Sequence, residues 1–375
     1  MPSSGGHYSV EHRDVRSLFA ELARASIGRA GLVASSIRVF LLTYRRPHMI
    51  RRALECLVEQ DFKDWVCEVH NDWPDDAAAI EDIVTSLGDE RFRVFHHPEN
   101  LGGTRSFNLA FESRHEEPFF SILEDDNYWH RNFLSRMLAS IRRNPGVAAA
   151  WCNQQIRVEN RDGGFSDIVG VVGSIGSSDR LIEYGNVNQA LGSLHADGAM
   201  IIRTSKNKDL VLPSDLPFSA IEMFRDRAFP YPLLYVPEPL AVFTVTLKTG
   251  RSASVYEWFL LQSLAAGSFL KFCDGGLIAR TFEHWRSSKP RSTNPLLMGL
   301  LMNGCLGLAL HNAKLADWLL LFKALLRRPH LAWVLMEKPR CKGWSEFLDR
   351  NTRQRFLDKR GVAANIKVSR PSCVG

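Results

Sequence analysis

The chain has 375 residues, 45% hydrophobic and 23% charged, an ordinary globular composition long enough for one large α/β domain with an appendage or for two units. Its seven cysteines are scattered and never form a CxxC, a spacing that argues against a zinc site or disulfide framework and fits a reducing compartment. The net charge of +6 is uneven: residues 280–375 carry 18 Lys and Arg against 6 Asp and Glu, so subtraction from the totals of 47 and 41 leaves 29 and 35 for residues 1–279.

An acidic body thus precedes a basic tail. No zinc-finger, aromatic RNA-binding or basic-zipper pattern accompanies that tail, so nucleic acid is not an expected partner. Residues 1–35 read as an N-terminal helical lead. They place Glu11, His12, Arg13, Asp14 and Arg16 before any apolar stretch and show no signal-type hydrophobic region, so a cytoplasmic location is expected.

From Ile37 the chain alternates. Ile37 to Leu42 reads as a short buried strand, and Pro47 opens a helix with Ile50, Ala53, Leu54 and Leu57 on one face. Strands follow at Trp65–His70, Arg91–His96, Pro118–Leu123 and Val147–Cys152. Helical patterns separate them at Ala77–Leu87, Gly102–Ser113 and His130–Arg143. Such βαβ units imply a mostly parallel sheet flanked by helices, with ligands at the carboxyl ends of its strands. Gly163 to Ser193 reads as loops with short strands, Ala196–Ile202 as a strand, Ser219–Ala228 as a helix and Pro232–Pro239 as a short strand. Beyond Ser254 the chain reads as helical.

Acidic groups crowd two strand ends: Asp72, Asp75 and Asp76 after one, Glu124, Asp125 and Asp126 after another. So much negative charge at one sheet edge is unfavourable without a cation or a hydrogen-bonded ligand. Hard divalent cations, Mn2+ or Mg2+, take carboxylate oxygens and share their other positions with water and phosphate.

Thr43-Tyr44-Arg45-Arg46-Pro47, Asn71-Asp72-Trp73-Pro74-Asp75-Asp76, Asn100-Leu101-Gly102-Gly103 with Arg105 and Asn108, and Leu123-Glu124-Asp125-Asp126-Asn127 follow one another in this order. Together they resemble family 2-type glycosyltransferases of the GT-A fold. The resemblance implies a GT-A-like catalytic domain over residues 36–250 and an inverting, metal-dependent sugar transfer from a nucleoside diphosphate donor. It places the nucleotide near Thr43, Tyr44, Arg45, Asp72, Asn100, Gly102, Arg105 and Asp125, and the metal at Asp126 and Glu124. Three departures stand out. Glu124 replaces the first Asp of the family's Asp-x-Asp, Trp73-Pro74 replaces Gly-Ser, and Thr244-Val245-Thr246 stands where the family often has Arg-x-His. Lys248 or Arg251 is a candidate for the diphosphate contact so lost.

An inverting transferase needs a carboxylate to accept the acceptor's proton. Glu222, set between Ile221, Met223 and Phe224, is the first candidate, with a pKa raised by partial desolvation; Asp197 and Asp215 are the reserves. The alternative for Glu222 is a surface acid paired with Arg225 or Arg227. His96, His97 and His195 lack metal-ligand spacing and read as loop or core residues. Trp285, Trp318, Trp333 and Trp344 read as packing residues.

Residues 251–375 form a basic helical extension. Its apolar run Pro295–Leu310, interrupted by Asn303, is too short for the roughly 20 residues of a membrane span. Trp318-Leu319-Leu320-Leu321-Phe322 beside Lys323, Arg327 and Arg328 suits a helix lying in an anionic membrane interface, or equally one packed on the domain with a solvated basic face. A peripheral enzyme of polysaccharide biosynthesis, acting on a glycan or lipid-linked acceptor, is the expectation. The alternatives are a nucleotidyltransferase on a related sheet, and a non-catalytic nucleotide- or glycan-binding module.

Overall fold

The computed structural model describes residues 35–112, 115–206, 210–247, 254–288 and 293–368. The expected N-terminal lead and the two candidates Lys248 and Arg251 lie outside the described residues.

The first half alternates strand and helix as the periodicity requires. The order is β1 (Ile37–Thr43), α1 (Pro47–Val58), β2 (Trp65–Asn71), α2 (Ala77–Leu87), β3 (Phe92–His96), α3 (Gly103–Glu112), β4 (Phe119–Glu124), β5 (Tyr128–Trp129), α4 (Phe133–Arg143) and β6 (Ala149–Val158). Short strands β7 (Gly170–Val171) and β8 (Arg180–Ile182) lie in the Gly- and Ser-rich stretch, followed by β9 (Met200–Arg203), α5 (Ile221–Ala228) and β10 (Leu233–Val245).

The main sheet order is β3-β2-β1-β4-β9-β6-β10-β5, with β7 on β6 and β8 on β10. β3, β2, β1 and β4 are mutually parallel, and β6 is parallel to β10. Antiparallel β9 joins the two sets, so β4, β6 and β10 all end at one edge. Alternation along β1 shows why the sheet is buried on both sides: Val39 and Leu41 enter one core with Ile50, Leu54 and Leu57 of α1, while Phe40 and Leu42 enter the other. β10 runs well past the expected Pro239. Its pairing with β6 slips between Val236 and Pro239 and again before Ala241, as two prolines without N–H groups demand.

Among the described residues seven α-helices follow: α6 (Val255–Phe272), α7 (Gly275–Ser287), α8 (Pro295–Met302), α9 (Leu306–Asn312), α10 (Leu315–Arg327), α11 (Val334–Glu337) and α12 (Lys342–Val368). They are built into the same core as the sheet. Phe347 of α12 stacks on Phe224 of α5, and Phe356 and Phe269 meet Tyr184 edge-on. Residues from 36 onward accordingly form one compact unit. α6 and α8 cross at Gly267 and Gly299, where a Cβ on Gly267 would stand 2.5 Å from the Gly299 carbonyl oxygen. Trp285, Trp318 and Trp344 pack on the core, but Trp333 is exposed, against expectation. None of the described helices is long and apolar enough to cross a membrane.

Candidate active site

The end of β4 is tied to the end of β1. Asp125 N–H donates to the Leu42 carbonyl, and Thr43 Oγ1 donates to Asp125 Oδ2 at 2.8 Å. Asp125 and Asp126 are both buried, and Arg46 bridges them, at 2.7 Å to Asp125 Oδ1 and 2.6 Å to Asp126 Oδ2. Burial raises the Asp125 carboxyl to about 7, with Arg46 opposing and Asp126 adding to the rise. Asp126 Oδ1 is buried without a hydrogen-bond partner.

The next residue closes the turn. Asn127 Nδ2 donates to Glu124 Oε2 at 2.5 Å, and Asn127 Oδ1 accepts the Thr244 N–H at 2.8 Å. Glu124 therefore points along the strand end toward Gly198, where an added Cβ would come within 3.1 Å of its Oε2.

Around the first strand's turn, Arg45 adopts a left-handed φ of 56° and lays its guanidinium 4.4 Å over the Trp73 ring. Tyr44 meets the same ring edge-on at 5.8 Å. The departure Trp73 thus builds an aromatic and cationic wall, Tyr44–Trp73–Arg45, where a Gly-Ser turn would leave space. Asp75 and Asp76 sit in a short 3-10 turn after it.

Asp72 is fully engaged locally. Its Oδ1 accepts Leu101 N–H at 2.6 Å, and its Oδ2 accepts Gly102 N–H at 3.1 Å and Ser106 Oγ at 2.9 Å. Asn100 Oδ1 also accepts the Gly102 N–H, at 2.7 Å, while Gly102 takes φ +81°. These bonds fix the entry to α3, on which Arg105 is exposed.

The acids of the opposite wall divide sharply. Glu222 opens α5 and is exposed, while Ile221, Met223 and Phe224 turn into the core. The expected desolvation of Glu222 is therefore wrong, because helical neighbours one and two residues away lie on other faces of the helix. Arg225 and Arg227 are buried and ion-paired to Asp197 and Asp226, and Arg225 also feels the charge of Glu222. Glu222 Oε1 accepts the Asp197 N–H at 3.2 Å, one residue from the Gly198 that abuts Glu124.

Asp197 itself is buried and ion-paired to Arg225 and to His195 Nε2. Burial would raise its carboxyl, but Arg225 and His195 outweigh that and hold it below the usual range. His195 is wedged between Asp197 and Asp226, each at 3.3 Å, and these partners lift it to about 9 against the cost of burial. Asp215 is exposed and accepts Trp344 Nε1–H at 3.1 Å. Among the three acids, Glu222 alone combines an accessible carboxylate with a link to the Glu124 turn.

Arg46, which the first motif contains without a role, stands at the acids with Arg52, and Arg157 lies beside Arg52; the motifs hold neither of these two. Arg52 Nη2 donates to the Asp126 carbonyl at 2.5 Å and to Thr244 Oγ1 at 3.3 Å. Among the described residues no group of three or more His, Cys, Asp and Glu side chains forms a metal cage.

A mixed sheet with helices on both faces and paired acids at the end of a central strand defines the GT-A class of glycosyltransferase folds. The same fold occurs in S. aureus TarS 1-349, solved in complex with UDP, at a TM-score of 0.51 and 17% identity over 87% of this chain and 92% of that one. Residues 38–205 match glycosyl transferase family 2. It is also 27% identical over 103 residues to "Putative colanic acid biosynthesis glycosyl transferase WcaA" of Escherichia coli (strain K12). That match spans 28% of this chain and 37% of the relative.

Proposed function

We propose that the protein transfers a glycosyl group from a nucleoside diphosphate sugar to a hydroxyl acceptor, with inversion. The observation that carries this reading is the Asp125–Asp126 pair, buried at the end of β4, with a partnerless oxygen on Asp126. A pair of carboxylates rather than a closed cage suits Mn2+ or Mg2+, which fills its remaining positions with phosphate oxygens and water. Asp126, with Asp125 beside it, would hold the cation, and Glu124 orders the turn through Asn127. When bound, the cation supplies Lewis-acid neutralisation of the diphosphate.

The chain's own residues account for the remaining steps. Thr43 and the Tyr44 amide hold Asp125 in place. Tyr44, Trp73 and Arg45 offer a flat wall for the nucleoside. Asp72 shapes the Asn100–Gly102 turn beside it, with Arg105 facing the donor. Glu222 accepts the proton of the acceptor hydroxyl as that oxygen bonds to the anomeric carbon. The bond from that carbon to the phosphate oxygen breaks, and its electron pair leaves with the nucleoside diphosphate. Asp197, locked in ion pairs, positions Glu222 through its N–H.

The acceptor is a glycan or a lipid-linked saccharide met at a membrane surface. α10 supports this reading. Leu315, Leu319, Phe322 and Leu326 recur along one face and are 57 to 74% exposed, while Leu321 and Ala324 face the core. Leu306, Leu310, Trp333, Leu335 and Met336 extend the apolar patch, and Lys314, Lys323, Arg327 and Arg328 surround it. An exposed apolar stripe rimmed by bases fits an anionic bilayer, whereas a second copy would oppose like charges.

The deciding experiment is calorimetry of UDP, GDP and TDP with Mn2+, UDP first because it occupies the TarS structure, followed by a screen of sugar nucleotides for donor hydrolysis. Binding of a nucleoside diphosphate that disappears with chelator supports the reading. A protein that binds none of the three is not a transferase of this kind.

A further inference from the structure

Two arginines near the acids have no acid of their own. Arg157 lies near the end of β6, in register with Thr244 of β10, and Arg52 of α1 reaches the same Thr244. Both guanidiniums stack on one pair of rings. Their central carbons lie 4.4 Å from the Phe165 centroid, and 4.9 Å (Arg52) and 5.7 Å (Arg157) from the Tyr128 centroid. Phe165 is brought there by a bridge back to Glu159.

Among the described residues neither arginine forms an ion pair with a carboxylate. Arg52 meets Asp126 through its backbone carbonyl, and Arg157 makes one long contact, Nη1 to Tyr128 Oη at 3.5 Å. The Nε groups of both are buried without a hydrogen-bond partner. Burial and the charge of Arg157 both lower the pKa of Arg52. Two like charges held half-buried on shared aromatic faces are costly alone and are relieved by an anion between them. The planar forks of arginine match phosphate oxygens in pairs.

We propose that Arg52 and Arg157, on the Tyr128–Phe165 platform, form a phosphate-binding site that takes over the contact left open by Thr244-Val245-Thr246. The phosphate comes from the donor's diphosphate or from a phosphate on the acceptor. Its assignment to the donor rests on the transferase reading, but the phosphate site itself does not.

The test is calorimetry of the full chain with inorganic pyrophosphate in EDTA, then with glycerol phosphate, and with UDP, GDP and TDP in Mn2+. Wild type should bind pyrophosphate, with an affinity that falls as KCl rises. Arg157→Gln should weaken binding roughly tenfold, the loss of one charge-assisted contact, while Arg157→Lys retains most of it. If the bound nucleoside diphosphate weakens in parallel, the donor is the source. If only glycerol phosphate weakens, the acceptor is the source; both results support the site. The proposal is overturned if wild type ignores pyrophosphate, if its affinity is indifferent to KCl, or if Arg157→Gln, melting like wild type, binds unchanged. The transferase reading fails separately if no nucleoside diphosphate binds while the pyrophosphate response is intact.

Discussion

Asp125 and Asp126 are adjacent in sequence but differently committed. Asp125 is held by Thr43, the Tyr44 amide and Arg46, while Asp126 keeps one oxygen without a partner. Asp126→Ala should therefore abolish metal-dependent binding of the donor nucleotide, read by calorimetry with and without chelator; an unchanged affinity would remove Asp126 from the metal site. Glu222→Gln should leave nucleotide affinity alone and lower turnover by roughly 100-fold or more, the size of a general-base contribution. Wild-type turnover in that variant would transfer the role to Asp197 or Asp215. The buried His195 gives a pH signature. Its pKa is raised from an ordinary 6.5 to about 9, so its ion pairs stabilise the fold fully below pH 6.5 and are lost as pH climbs through 9. Thermal melting of the wild type should drop across that interval, and His195→Gln should flatten the drop.

Elements carry two further tests. At the α6–α8 crossing, Gly267 and Gly299 let backbones touch, so Gly267→Ala forces the helices apart and should cost about 1–3 kcal/mol in denaturant unfolding, the usual penalty of overpacking. On α10, Leu319→Glu with Phe322→Glu should release the protein from phosphatidylglycerol vesicles in a flotation assay without changing its melting temperature, because both side chains point outward. Retention on the vesicles would assign the stripe to another partner. The strands and helices up to β4 were legible in sequence because each short apolar run ended in a turn that named it. The outward stripe of α10 was only half legible. Trp318 to Phe322 reads as continuous apolar sequence, and which residues face out depends on where α6 and α8 lie.

Across the whole molecule, the helices after residue 254 share a core with one face of the sheet. Arg355 of α12 donates to the Phe229 carbonyl and Lys359 to that of Tyr184, joining the last helix to the sheet's own loops. Long-range pairing likewise hid part of the site. Asp125 and Thr43 were visible because each follows a strand of the parallel set. Arg52 and Arg157 lie 105 positions apart and meet through the β6–β10 register, which nothing in either local sequence announces. Glu222 was visible as an acid near the end of the domain, but its exposure depends on how α5 is rolled against Phe347.

The grouping of Arg46, Arg52 and Arg157 with Asp125 and Asp126 also sets an electrical balance sheet for turnover. With Glu124 in the same turn, the formal charges are three cations against three anions, so the site is balanced before a ligand arrives. On the proposed reading, a sugar nucleotide with its divalent ion would be neutral overall at the diphosphate, so loading would leave that balance unchanged. Cleavage would then create one new negative charge on the departing phosphate oxygen, which Arg52 and Arg157, neither ion-paired to a carboxylate among the described residues, would meet. Release of the nucleoside diphosphate should therefore be slower in low salt than in high.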